Sequence, residues 1–68
     1  MKISINCNDP NFLSEIDYVS IYLSQTMHKY ELVAKIKDAY YWQAIAVANT
    51  EEELKIWWDM QNLSIPLV

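Results

Sequence analysis

The spacing of apolar residues changes along the chain, and each change marks a candidate element. From Lys2 to Asn8, Ile3, Ile5 and Cys7 alternate with Lys2, Ser4 and Asn6, the period-two pattern of a half-buried strand. Asp9-Pro10 then supplies a helix cap and a residue suited to the first helical position. Phe12, Ile16, Val19, Leu23 and Met27 recur at steps of three and four, with Leu13 beside them, which predicts a helix over about 10–27. Tyr18 to Ser24 also alternates strictly and is rich in β-branched residues, so the same stretch carries a competing strand reading.

Alternation returns from Tyr30 to Lys37. Tyr30, Leu32, Ala34 and Ile36 face one way, and Glu31, Val33, Lys35 and Lys37 the other. Asp38-Ala39 is the expected turn, without the Asn-Gly chemistry usual in tight hairpins. Tyr40 to Ala48 reads as a further strand, with Tyr41, Gln43, Ile45 and Val47 on one face and Trp42, Ala44, Ala46 and Ala48 on the other. The small alanines would let a helix approach that second face closely. The opposing reading is one helix over 31–48, favoured by the helix propensity of alanine and by the Glu31–Lys35 spacing.

Thr50 followed by Glu53 is a capping box, and Glu51 and Glu52 stand where the helix dipole favours negative charge. The helix they open is expected to reach about Asn62. Pro66 prevents the apolar tail Ser64 to Val68 from continuing it, and the tail is expected against the sheet edge. The pattern therefore predicts one compact α+β domain over residues 1–68. Its order is β-α-β-β-α, with two helices on one face of a small antiparallel sheet. The alternative is a mostly helical bundle.

This last helix carries more apolar surface than one-sided packing needs. Leu54, Trp57 and Trp58 share one sector, and Ile56, Met60 and Leu63 fill the next. Together they span roughly 220°, where a stripe of about 100° suffices for one face. The second sector is expected to be covered by the tail, by the first helix, or by another molecule. Trp and Met are enriched in surfaces of the last kind.

Composition narrows the function. Sixty-eight residues hold one domain at most. The net charge is −4, and all five basic residues are lysines, so nucleic acid is not an expected direct partner; a protein with a basic surface is. Glycine is absent, which excludes Gly-rich phosphate loops. The single cysteine cannot form an intrachain disulfide, and a reducing, cytoplasmic setting is expected. The N-terminus does not read as a signal peptide, and no apolar run approaches the ~18 residues of a membrane span, so no membrane association is expected.

Candidate chemistry is sparse. Cys7 falls on the expected buried side of its strand and His28 at an exposed boundary, so the pair is not assigned as a nucleophile and base. No spacing suits a metal, and no cofactor is expected. Lys29, Lys35 and Lys37 with Tyr40, Tyr41 and Trp42 form the one basic-aromatic grouping, read as a solvated strand face beside core aromatics. The expectation is a non-enzymatic, acidic protein-binding domain. Its candidate partner-binding residues are Glu51, Glu52, Lys55, Ile56, Trp57, Trp58, Asp59 and Met60.

No family pattern covers the chain. Over a few residues, Glu51-Glu52-Glu53 with Asp59-Met60-Gln61 resembles the tail of a small phage-encoded inhibitor of a CRISPR nuclease. In size, charge and missing motifs the chain is similar to the small inhibitors that phages deploy against host defence or host enzymes. That resemblance implies an anti-CRISPR-like or DNA-mimic-like inhibitor. A homodimerisation module, an antitoxin and an immunity protein are the alternatives.

Overall fold

The alternating segment in the middle of the chain becomes the centre of a sheet. The computed structural model describes residues 1–3 and 10–68. Its strands are β1 (Lys2–Ile3), β2 (Ile16–Ser24), β3 (Lys29–Ile36) and β4 (Trp42–Ala48), paired antiparallel in the order β1-β4-β3-β2. Two helices, α1 (Pro10–Ser14) and α2 (Glu51–Met60), complete the α+β fold. Of the strand expected over Lys2 to Asn8, Lys2–Ile3 is seen, and Ile5 and Cys7 lie outside the described residues.

The α+β class and the antiparallel sheet agree with the sequence pattern, and the helical bundle is excluded. The long first helix is not formed. It ends after one turn at Ser14, and the competing strand reading holds from Ile16 to Ser24, so the sheet gains a strand. A β-bulge explains the ambiguity. The register passes from Ile16↔Ile36 to Tyr18↔Lys35, leaving Asp17 as the extra residue. Inward residues Ile16 and Val19 are thus three apart, a step that also fits a helix.

A second bulge lies in β4, where Leu32 pairs with Ala46 and Val33 with Ala44. Ile45 is the extra residue and is fully buried. The expected faces of this strand are therefore broken in the middle. Ala46 and Ala48 reach the helix side as predicted, Ile45 joins them, and Trp42 and Ala44 lie on the opposite side. Tyr40 and Tyr41 precede the strand rather than opening it.

The core lies between the sheet and α2. Ile16, Val19, Leu32, Ala34, Ile36 and Ile45 meet Leu54 and Trp58 there, and Phe12 and Leu13 of α1 pack against the same cluster. The tail closes one edge. The Val19 N–H donates to the Pro66 carbonyl and the Val68 N–H to the Val19 carbonyl, both at 2.9 Å. Val19 and Leu67 thus pair as a parallel bridge, as the apolar tail suggested.

The other side of the sheet has no helix over it among the described residues. Register places three rows across it. Tyr18, Lys35 and Trp42 form one; Ser20, Val33 and Ala44 the next; Tyr22, Glu31, Val47 and Lys2 the third. Successive rows are about 6.8 Å apart, two residues along a strand.

Candidate interaction surface

Helix α2 begins where the capping box placed it. Thr50 has extended backbone angles, and its hydroxyl oxygen accepts from the Glu53 N–H at 3.2 Å. Glu51, Glu52 and Glu53 fill the first turn, and Lys55 pairs with Glu51 at 3.3 Å across one turn. The helix ends at Met60 with Gln61 as its cap, and Asn62 takes a left-handed backbone, φ 55°. Asn62 stands where glycine would commonly end a helix, in a chain that has none.

The expected partner-binding residues divide into two groups. Trp58 faces the sheet beside Leu54, which was not among them, and is only 5% exposed. Its indole Nε1–H donates to the Ile65 carbonyl at 3.4 Å, and Leu63, Ile65 and Leu67 of the tail pack on the core beside it. The tail is therefore one of the two covers this helix needed, and Trp58 is a core residue rather than a surface one. Trp57 is half-buried against Trp58, with ring centroids 6.1 Å apart.

Ile56 and Met60 remain outside. They are 54% and 74% exposed. Each stands one turn from the other, and Ile56 is rotated about 160° around the helix axis from both Leu54 and Trp58. That places this pair at the pole opposite the core, where an amphipathic helix normally carries polar residues. With Met1, Glu53 and Trp57 they line a shallow depression of about 320 Å³. Glu52 and Asp59 flank the ridge on one side and Glu53 on the other, all exposed. A larger depression of about 490 Å³ opens where the tail meets α2, between Lys55, Asp59 and Leu63.

The basic-aromatic grouping is also divided. Lys35 and Trp42 adjoin in one row of the uncovered sheet side, and Lys29 lies beyond its far row. The Lys35 ammonium donates to the Ile36 and Ala39 carbonyls, both at 2.8 Å, which ties it to the β3–β4 turn. Lys37 turns away and donates to the Ser14 carbonyl at 3.3 Å. Tyr18 and Tyr22, which the period-three reading had assigned to a helix, join Trp42 on this side. Tyr18 packs edge-on against Trp42 at 5.4 Å between centroids, and the Tyr22 hydroxyl donates to Glu31 at 2.7 Å.

His28 is exposed in the β2–β3 loop, and Cys7 is outside the described residues. Among the described residues no group of three His, Cys, Asp or Glu could hold a metal, and no helix is long and apolar enough to cross a membrane. No protein-family model, curated protein or solved structure matches the chain.

Proposed function

We propose that the protein is a non-enzymatic binding domain that docks on a protein with a basic surface through the outer pole of α2. The observation that carries this reading is the exposed Ile56–Met60 ridge bracketed by Glu52, Glu53 and Asp59 on a helix whose other side already fills the core. The apolar ridge would supply affinity once dehydrated, and the carboxylates would supply steering and orientation. A basic groove that normally holds nucleic acid has the complementary charge. Occupying such a groove is how an anti-CRISPR-like or DNA-mimic-like inhibitor would act, and an antitoxin or immunity protein could use the same chemistry.

Self-pairing of α2 about a twofold axis is the competing use of the ridge. It would bring Glu52, Glu53 and Asp59 of two copies towards one another, an unfavourable arrangement at low salt. Sedimentation at micromolar concentration should therefore show a monomer. Capture of a partner from the source organism's lysate should be lost in Ile56→Ser/Met60→Ser and weakened by salt. Glu51→Lys/Glu52→Lys should slow association with the purified partner and flatten its salt dependence. A tight dimer, or capture indifferent to both double variants, would refute the proposal.

A further inference from the structure

The net charge of −4 conceals an uneven distribution. Lys2 and Lys35 lie in the rows of the uncovered sheet side, and Lys29 lies beyond them, lining a depression with Lys2 and Val47. Three of the five lysines thus meet one carboxylate of those rows, Glu31, which is hydrogen-bonded to Tyr22. Glu51, Glu52, Glu53 and Asp59 are on α2, across the core. Exposed charges further apart than the Debye length of ~8 Å at physiological salt are largely screened, so carboxylates on the far side of the core act only weakly on a ligand at the sheet side.

The same side presents aromatic rings already held in place. Trp42, 47% exposed, is buttressed by the edge of Tyr18, and Tyr22, 49% exposed, is anchored through its hydroxyl to Glu31. Between them lies a trough of about 430 Å³ floored by Val33 and Ala44. Rings on two outer rows, a small-residue row between them and the exposed Lys2 and Lys29 at one end make a stacking platform with a cationic border. Glu31 and Ser20, which also line the trough, offer oxygen acceptors next to the rings. A ribose 2′-hydroxyl can donate to such acceptors, and a deoxyribose cannot.

We propose that the uncovered sheet side binds single-stranded RNA, bases stacking on Trp42 and Tyr22, phosphates meeting Lys2 and Lys29. The net-charge argument against nucleic acid applies to the whole molecule at long range and not to this side at contact distance. An acidic peptide would satisfy the lysines and leave the held rings without a stacking partner, so RNA fits both features. This site is independent of the α2 surface and goes beyond the protein-docking role proposed above.

Fluorescence anisotropy with a labelled mixed-sequence RNA of about ten nucleotides tests it. Binding is expected in the micromolar range at moderate salt, stronger than to the deoxy-oligomer, to duplex RNA or to poly-glutamate. Trp42→Ala should weaken binding about tenfold. Lys29→Glu, at an exposed position beyond the aromatic rows, should weaken it and reduce its salt slope. Circular dichroism of both variants confirms that the fold is retained, and Ile56→Ser/Met60→Ser should bind RNA as the parent does. No binding, or binding unaffected by Trp42→Ala and Lys29→Glu, overturns the proposal. Equal affinity for the deoxy-oligomer overturns the assignment to RNA, and preference for poly-glutamate overturns nucleic acid altogether.

Discussion

Absence of glycine leaves left-handed backbone positions to residues with side chains. His28, Asp38 and Asn62 have φ of 54°, 59° and 55°. Asp and Asn tolerate this region through local hydrogen bonding, whereas the imidazole at position 28 gives less relief. His28→Gly should therefore raise stability by about 0.5–1 kcal/mol, the local gain exceeding the extra freedom of the unfolded chain. That amounts to a few degrees in thermal midpoint for a domain of this size, and calorimetry showing no rise would argue against strain in the loop. Tyr22 makes a separate prediction. The hydrogen bond that its hydroxyl donates to the Glu31 carboxylate raises the phenol above its usual 10.0, with desolvation and the Glu31 charge acting the same way. A raised folded value means the contact contributes fully below the unfolded pKa near 10 and is lost as pH climbs through the folded value. The side chain is largely solvated, so screening keeps the stability change small. Absorbance titration, with Tyr22→Phe to identify the signal, should show this phenol ionising late in wild type and earlier in Glu31→Gln.

At the scale of elements, legibility depended on whether a strand keeps its period. β3 has no extra residue of its own, and the division of Leu32, Ala34 and Ile36 from Glu31, Val33 and Lys35 could be read directly from alternation. The start of α2 was equally legible, because Thr50 and Glu53 form a local device that needs no tertiary information. β2 and β4 were harder because each contains a bulge. Asp17 shifts the inward set by one residue and produces helix-like spacing, while Ile45 moves Trp42 and Ala44 onto the opposite side from Ala46. Bulges depend on what the partner strand offers, which lies outside a local window. The excess of α2 was visible as an arc of apolar residues, and the ridge of Ile56 and Met60 survives as its exposed part. The burial of Trp58 was not visible, because it depends on the tail crossing back to present the Ile65 carbonyl. The sheet platform was divided in the same way. Lys35 and Trp42 were grouped correctly in sequence, but Tyr18 and Tyr22 entered it only once their segment proved to be a strand.

For the whole molecule, the dominant constraint is one thin core. A domain of 68 residues has a stability of roughly 3–10 kcal/mol at ~0.05–0.15 kcal/mol per residue. Leu54 is fully buried and joins α2 to β3 and β4, the strands on which this helix rests. Truncating a buried leucine to alanine costs about 3–5 kcal/mol when the surroundings cannot collapse into the space. Leu54→Ala is therefore expected to remove much of the total stability, with a greatly lowered denaturant midpoint. Met60→Ser, six residues further along the same helix but on its outer pole, should leave the stability within the ~0.5 kcal/mol typical of surface changes. This contrast separates the two uses of the apolar residues in α2. If Met60→Ser proved as damaging as Leu54→Ala, the outer ridge would be needed to hold the monomer together and could not be surface held in reserve for a partner. If it proved neutral, the exposed apolar area would have no role in the isolated fold, which is what the docking surface proposed for Ile56 and Met60 requires.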